Sequence, residues 1–180
     1  MGRQHRERVK TQWRDSEPGA VSEHAGKAVL KILVYGTLKS GCANHARFCS
    51  GFLSLEPATV PGVLEWLTPQ IPILHVAESL ILARGTSDPL ADLATQAHWA
   101  AQFEAEGQPY QDGTNDPANR AVGVVEGEVL GFDDPATRLP EIDRLEGFRP
   151  GSASLYSRVL IPVRLADSWV IPAWAYVASD

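Results

Sequence analysis

The sequence is poor in cysteine and has no long apolar run. Cys42 and Cys49 are the only cysteines, and if residues 42–50 are helical they lie about two turns apart, too far for a disulfide. Two reduced thiols used for packing in a cytosolic protein are the simple interpretation. A nucleophilic cysteine acting with His45 is disfavoured, because no third orienting residue is evident. No apolar run approaches the roughly 18 residues that a membrane-spanning helix needs.

Excess positive charge and metal-ligand spacing are also lacking. The chain has 16 Lys and Arg against 22 Asp and Glu, a formal net charge of −6, which argues against nucleic acid or an anionic membrane surface as a partner. The five histidines are scattered without ligand spacing, and neither a phosphate-binding loop nor an internal repeat is present. The sequence therefore predicts no metal and no cofactor.

Helices and strands follow one another irregularly. Asp88-Pro89 marks a helix start, and the helix runs to Gly107 with an apolar stripe formed by Leu90, Leu93, Ala94, Ala97 and Ala101. Trp99 and Phe103 lie on a different face, so this helix either packs on two sides or covers a pocket. We expect strands over residues 59–67, 71–76, 121–131, 155–165 and 169–177. Without a regular β-α-β repeat, this order indicates an α+β domain.

Residues 31–45 form the first of two candidate site motifs. Ile32, Leu33 and Val34 suit a buried strand, and Gly36 permits the sharp turn that follows. A strand that leads straight into a helix start leaves several backbone N–H groups unpaired at one point. Such donors can hold an anion or a polarised carbonyl. The same kind of turn occurs in many folds that bind nothing, so this motif needs a partner.

The second motif is a short helix predicted over residues 135–146. Asp134 is its N-cap, Pro135 its first residue and Gly147 its stop. At the helical period, its residues divide into two sets. The apolar stripe contains Leu139, Ile142 and Leu145, whereas Glu141, Asp143 and Arg144 point away from it.

Glu146 falls within this apolar stripe. A carboxylate aimed at the interior is costly unless it is paired or has a function. One interpretation is a buried ion pair with Arg149 or Arg158. The other is a general acid/base whose pKa is raised by desolvation. The sequence pattern alone leaves both open.

Together the two motifs resemble the γ-glutamylcyclotransferase-like family, in particular its γ-glutamylamine cyclotransferase branch. The segment VYGTLKSGCANH resembles the family's YGTLK-x-G-x-x-NH signature. The segment VEGEVLGFDDPATRLPEIDRLEGF, followed by LYSR, is similar to its GEV strand, its short helix ending in a glutamate and its tyrosine-containing return strand. The resemblance covers residues 31–67 and 121–177 and implies a small mixed β-barrel flanked by helices.

The resemblance also implies a chemistry. The family's enzymes cyclise a small γ-glutamyl compound to 5-oxoproline and release the amine or amino acid, a reaction type of glutathione metabolism that needs no cofactor. Glu146 falls on the catalytic glutamate and would act first as base and then as acid. Glu128 matches the GEV strand and is interpreted as structural support. The substrate-binding residues implied by the match are Tyr35, Gly36, Thr37 and Leu38, through their backbone donors, and Tyr156.

Two alternatives stay open for Tyr156 and for the function. Tyr156 either lines the pocket and positions the amine or Glu146, or is a core tyrosine with its hydroxyl at the surface. The chain is either a cyclotransferase, a non-catalytic binding protein for an amino-acid-like ligand, or a biosynthetic enzyme that removes a γ-glutamyl protecting group. The released amine and the oligomeric state are not predicted.

Two segments depart from the family pattern. Residues 1–27 are mostly polar and charged, so we expect a disordered tail; they lack the apolar stretch of a secretory signal, which favours a cytoplasmic protein. Residues 28–180 would form one domain with a real core. Within it, residues 78–119 are expected to be a helix-loop insert that sets the acceptor. Its turn-rich part, residues 108–119 with Tyr110, is either a lid or an ordinary surface loop.

Overall fold

The computed structural model describes residues 28–105 and 123–179. The tail at 1–27 and the loop at 108–119 with Tyr110, for which the sequence makes predictions, lie outside these ranges. The helices and strands of the described part are β1 (Leu30–Val34), α1 (His45–Phe48), β2 (Ser54–Pro61), β3 (Val63–Thr68), β4 (Ile71–His75), a 3₁₀ turn (Glu78–Leu80), β5 (Ala83–Arg84), α2 (Pro89–Ala105), β6 (Val124–Phe132), α3 (Pro135–Glu146), β7 (Tyr156–Leu165) and β8 (Val170–Ala178).

Five strands close into a mixed barrel. Their order is β2-β6-β1-β8-β7, and the barrel closes where β2 pairs with β7 at Ala58–Leu165 and Thr59–Arg164. β1 runs parallel to β8, whereas the other barrel pairings are antiparallel. β5 extends the sheet beyond β7, and β3 with β4 forms a separate hairpin. The predicted α+β fold with a small mixed barrel is confirmed.

Alternating side chains of the barrel strands build two layers of core. Leu33, Ala173 and Ala175 belong to a cluster to which all five barrel strands contribute, so this cluster fills the barrel interior. Ile32 and Trp174 face the opposite side and pack against residues of α3. Successive residues of a barrel strand therefore point alternately into the barrel interior and into the layer beneath the helices, as period-two alternation requires.

The two sequence motifs are held together by Arg138. This largely buried side chain of α3 donates to the carbonyl oxygens of Phe48 at 2.6 Å and Ser50 at 2.9 Å, a few residues after the first motif. It also pairs with Asp134 at 3.0 Å. The carboxylate of Asp134 thus holds Arg138 and makes no cap hydrogen bond to the helix backbone, which differs from the N-cap role expected of it.

Most predicted boundaries are confirmed to within a few residues. The helix over residues 135–146 and the strands at 71–76, 121–131, 155–165 and 169–177 match α3, β4, β6, β7 and β8 to within a few residues. The strand predicted at 59–67, with an interruption at Pro61, is the end of β2 and most of β3, because the chain turns at Gly62. A Cβ at Gly62 would lie 2.6 Å from the His75 carbonyl oxygen, so the turn has no room for a side chain. The helical conformation of residues 42–50, considered only for the cysteine spacing, is confined to α1.

The apolar stripe predicted for α2 is wrong. Leu90 is 59% exposed, and Ala94, Ala97 and Ala101 are exposed as well, whereas the buried residues of α2 are Asp92, Gln96 and Phe103. Gln96 is buried because its amide accepts from the Lys31 N–H and donates to the Val29 carbonyl, each at 3.0 Å.

Among the helices of the described ranges, none is long and apolar enough to cross a membrane.

Candidate active site

A pocket of about 680 Å³ opens at the end of β1. Its wall combines the turn after β1, the β3–β4 hairpin, the end of α3 and the start of β7. All six residues that the sequence assigns to a site line this one pocket: Tyr35, Gly36, Thr37, Leu38, Glu146 and Tyr156. Residues more than a hundred positions apart therefore share one space, because β1 and β8 are neighbours and β7 follows next in the sheet.

The turn after β1 is tied down at its far side and leaves donors free on the pocket side. The Ser40 N–H donates to the Glu128 carboxylate at 2.7 Å, so Glu128 supports the loop as expected. The Asn44 side chain donates to the Thr37 hydroxyl at 3.0 Å. By contrast, the N–H groups of Gly36, Thr37 and Leu38 donate to no atom of the described residues. These are the unpaired donors that the strand-to-helix turn predicts.

Gly36 is in close contact with the opposite wall. A Cβ built on Gly36 would lie 2.5 Å from Cγ of Pro72 in the hairpin. The glycine is therefore required for the close approach of the loop to the Pro72 ring, and its positive-φ freedom is not used. Pro72 also accepts a hydrogen bond from the Tyr156 hydroxyl at 2.7 Å, so one hairpin residue contacts both the loop and β7.

Glu146 is half-buried in this pocket without a partner. It makes no hydrogen bond or ion pair with any described residue, and burial raises the pKa of its carboxyl to about 7. Such a group is divided between its acid and base forms at neutral pH, as proton transfer requires. Of the two interpretations that the sequence left open, the buried ion pair is therefore wrong.

On α3, the partner of Arg158 is Asp143. Both carboxylate oxygens of Asp143 accept from Nη1 of Arg158, at 2.6 and 2.7 Å, and Arg149 is exposed. The expectation that Asp143 points away from the apolar stripe is wrong, because a buried arginine on β7 offers it a partner inside. Burial raises the pKa of Asp143, and its bonds with Tyr176 and Arg158 oppose that shift.

Two tyrosine hydroxyls are turned inward and donate to backbone carbonyls. Tyr156 donates to Pro72, and Tyr35 donates to the Tyr176 carbonyl; the alternative of a Tyr156 hydroxyl at the surface is wrong. Burial, followed by the nearby Glu146 carboxylate, raises the pKa of Tyr156 to about 12. Burial likewise raises the pKa of Tyr35 far above its usual value, with further contributions from Tyr156 and Glu146. Both phenols stay protonated at neutral pH, and each keeps lone pairs that can accept.

The cysteines do not contribute to the pocket. Cys42 is exposed and Cys49 is buried, with its thiol 3.6 Å from the Leu38 carbonyl oxygen. His45 Nδ1 lies 2.8 Å from the same oxygen. Burial raises the pKa of the Cys49 thiol to about 11, so it is held as a thiol and serves packing. Within residues 28–105 and 123–179, no group of three His, Cys, Asp or Glu side chains is placed to hold a metal ion.

Several pocket residues were not predicted. Asn44 belongs to the first motif but was given no role, and Tyr176 lies in a strand with no local signal of a site. Gln70, Ile71 and Pro72 come from the hairpin, which brings its tip over the pocket. Only the side-chain amide of Asn44, within a motif already recognised, could have been found from the sequence. The α2 helix, expected to pack on two sides or to cover a pocket, contributes no residue to this one.

Comparison with known proteins identifies a family. The family model for gamma-glutamyl cyclotransferase, AIG2-like, matches residues 94–180, which include α3 and Tyr156. No curated protein matches the chain. An AIG2-like protein of Mus musculus has a similar structure, with a TM-score of 0.50 and 17% identity over 84% of this chain and 78% of that one. YkqA of Bacillus subtilis matches at a TM-score of 0.48 and 16% identity over 84% of this chain, which spans only 36% of the length of YkqA. Over residues 94–180, the chain matches the AIG2-like gamma-glutamyl cyclotransferase family.

Proposed function

We propose that this protein cyclises a γ-glutamyl amine to 5-oxoproline and releases the free amine, with Glu146 as the proton-transfer residue. The family match supports a gamma-glutamyl cyclotransferase-type activity. The observation that carries the finer proposal is the unpaired carboxyl of Glu146, whose pKa is about 7, in the same pocket as three free backbone N–H groups. A base and an oxyanion site are the two parts that acyl transfer needs.

The substrate carries its own nucleophile. Its α-amine attacks the γ-carbonyl carbon, a new C–N bond closes a five-membered ring, and the bond from that carbon to the leaving nitrogen breaks. The α-ammonium group loses two protons as it becomes the ring amide nitrogen, and the departing nitrogen gains two as it leaves as an ammonium ion. Ionised Glu146 takes these protons one at a time, and the resulting acid gives each to the departing nitrogen. No water is consumed. The protein has mainly to fold the substrate into a shape ready for attack, and this positioning can supply a large part of the rate acceleration.

The loop after β1 would hold the negative oxygen atoms. The N–H groups of Gly36, Thr37 and Leu38 can donate to the substrate carboxylate or to the oxygen that becomes negative during ring closure. Tyr35 would fix the start of this loop, because its hydroxyl is bonded to the Tyr176 carbonyl. The Tyr156 hydroxyl donates to Pro72 and so would present a lone pair to the substrate ammonium group.

The charges of the pocket favour an amine over an amino acid as the leaving group. Among the described lining residues, Glu146 is the only charged one, and several others are apolar, including Leu145, Leu155 and Ile71. A released amino acid would bring a further carboxylate near Glu146 without a cation to balance it, which is unfavourable.

We further propose that residues 28–180 act as one cytoplasmic domain, and that residues 78–119 influence the choice of acceptor.

The leaving-group preference is tested with a matched panel. Purified protein is given γ-glutamyl derivatives of one alkyl skeleton, either with or without a carboxylate on the leaving group, and 5-oxoproline is measured by mass spectrometry. We expect kcat/KM to be about tenfold or more higher for the amines, in line with the cost of an unbalanced charge. Equal values, or a preference for γ-glutamyl dipeptides or glutathione, would contradict this assignment of the leaving group.

The activity should depend on pH through Glu146. Because the ionised carboxylate is the base, kcat/KM should rise about tenfold per pH unit below the pKa of about 7 and level off above it. Tyr35 and Tyr156, which also face this carboxyl, stay protonated throughout that range. Glu65→Gln is the control, because this exposed glutamate pairs with His75 outside the pocket. A profile that is flat between about pH 5 and pH 8 would contradict the role of Glu146.

A further inference from the structure

A buried arginine holds both ends of the segment that carries Glu146. Arg158 is 1% exposed, and its Nη1 donates to both oxygens of Asp143, three residues before Glu146. The ring of Phe148, two residues after Glu146, lies under the same guanidinium at 5.1 Å. The Phe148 N–H also closes the end of α3 on the Asp143 carbonyl at 2.9 Å. Glu146 thus lies between two contacts with one side chain of β7.

The spacing of these residues gives two contacts between α3 and β7. One is the ion pair of Asp143 with Arg158, and the other is the approach of Glu146 to Tyr156. Tyr156 and Arg158 are two apart on a strand and share one face, and Asp143 and Glu146 are three apart on a helix and are neighbours. The ion pair of Arg158 with Asp143 is the first of these contacts. It leaves Glu146 next to Tyr156, close enough for its charge to raise the pKa of that phenol.

A third contact connects the ion pair to the turn after β1. The Tyr176 hydroxyl donates to Asp143 Oδ1 at 2.7 Å, while the Tyr176 carbonyl accepts from the Tyr35 hydroxyl in the pocket. Asp143 is therefore bonded to the strand that holds the loop with the free N–H groups. The opposite side of Arg158 is held by Asp92 of α2 and by the Thr86 carbonyl at 2.8 Å.

We propose that Asp143 and Arg158 are positioning residues, which set the register of α3 on β7 and so place Glu146 against the substrate. The inference rests on the proposed function. A buried ion pair adds little to stability, but it fixes the relative position of the two elements that it joins. A shift of α3 would leave Arg158 buried without one of its partners, which is costly. Hydrophobic side chains would tolerate such a shift, and an ion pair with fixed hydrogen bonds does not.

Asp143→Asn is the main test, and Asp92→Asn is its matched control. Both changes remove one carboxylate from Arg158, but only Asp143 lies on α3. We expect Asp143→Asn to lower kcat by about tenfold or more, with KM changed by less than about threefold, since the loop that binds substrate is untouched. Asp92→Asn should lower the melting temperature and leave kcat of the folded protein within about twofold.

A charge-neutral variant separates position from electrostatics. Tyr176→Phe removes only the hydroxyl bonded to Asp143 and keeps the ring and the backbone carbonyl. It should lower kcat in the same direction as Asp143→Asn. In both variants Glu146 should become more hydrated, so the acidic limb of the kcat/KM profile should move from about 7 toward the ordinary pKa of a glutamate.

The titration of Glu146 gives a readout that needs no turnover. The ¹³C carboxyl resonance of Glu146, assigned by its loss in Glu146→Gln, should titrate at about 7 in the unaltered protein and lower in Asp143→Asn and Tyr176→Phe. That result supports the positioning role even if no γ-glutamyl substrate turns over, an outcome that would refute the proposed function alone. If Asp143→Asn and Tyr176→Phe lose stability but leave this titration unchanged, the ion pair is structural and the inference is wrong.

Discussion

Replacing Glu146 with glutamine should lower turnover by roughly a hundredfold or more, the usual worth of general acid-base catalysis. The amide keeps the shape of the side chain but cannot take the proton of the attacking amine. Folding should survive, because Glu146 has no partner among the described residues to lose and a neutral amide is easier to bury than a charge. Initial rates of 5-oxoproline formation at saturating substrate measure the effect.

The control for this change is Glu141→Gln, an exposed position on the same helix, which should leave the rate unchanged. Stability gives a second readout with a definite sign. Burial raises the pKa of Glu146 in the folded state to about 7, so the folded protein binds this proton more tightly than the unfolded chain does. The contribution of Glu146 to stability is full below its ordinary pKa and is lost as pH rises toward 7.

The melting temperature should therefore respond to Glu146→Gln differently at two pH values. At about pH 8 the variant should melt higher than the unaltered protein, and at about pH 4 the two should be nearly equal. A stable variant with undiminished 5-oxoproline formation would overturn the assignment. A variant that is less stable at high pH would mean that Glu146 has an ion-pair partner after all.

Replacing Gly36 with alanine should have the second-largest effect. The new Cβ would lie 2.5 Å from Cγ of Pro72, so the loop and the hairpin must separate, and the three free N–H groups move away from the substrate. A displacement of about 1 Å in a reacting geometry can cost about a hundredfold in rate. We expect a loss of this order in kcat/KM, measured with the best amine of the panel.

Gly131→Ala is a matched control for this clash. Its Cβ would meet Ser54 Oγ at the same distance, 2.5 Å, but on β6 opposite Lys31, away from the end of β1 that opens into the pocket. Because the Ser54 hydroxyl is the end of a flexible side chain and can rotate away, this variant should lose less stability than Gly36→Ala and keep the kcat/KM of its folded fraction. If the two variants lose equal activity per folded molecule, the close contact of Gly36 is a matter of folding and not of substrate binding.

The parts of the fold that the sequence predicts correctly are those with local signals. The Asp134-Pro135 start and the Gly147 stop bound α3, because proline is favoured at the first helical position and a left-handed glycine just after the last; Gly147 has a φ of 68°. The barrel strands are runs of β-branched and aromatic residues. The mixed barrel itself, however, follows from the family resemblance, since no local pattern dictates that β1 pairs in parallel with β8.

The failures occur where polar residues are buried. The face of α2 that packs inward contains Asp92 and Gln96, at helical spacing with Phe103, and a search for apolar periodicity cannot find it. Asp143 was placed outside for the same reason. The cost of burying each of these polar groups is offset by a partner distant in sequence, either Arg158 or the backbone of β1. Such partners become neighbours only when the chain folds, so the sequence pattern does not reveal them.

The sequence predicts the part of the candidate site that the two motifs form, but not the part that the β3–β4 hairpin forms. Glu146 and the turn at residues 35–38 are marked by a carboxylate in an apolar stripe and by a strand that meets a glycine turn. Gln70, Ile71 and Pro72 have no ionisable side chain that would mark them as site residues. They enter the pocket because the hairpin folds over it. Their contribution is shape, which depends on tertiary contacts that a linear pattern does not contain.

The most direct test of the account is the identity of the product formed in ¹⁸O-labelled water. Purified protein and Glu146→Gln are incubated side by side with a γ-glutamyl alkylamine, and all products are weighed by mass spectrometry. Attack by the α-amine predicts unlabelled 5-oxoproline and an equal amount of free amine, with the variant slower by roughly a hundredfold or more. Glutamate carrying ¹⁸O would show that water is the nucleophile, and an unchanged substrate that remains bound would show a binding protein; either result would contradict the account.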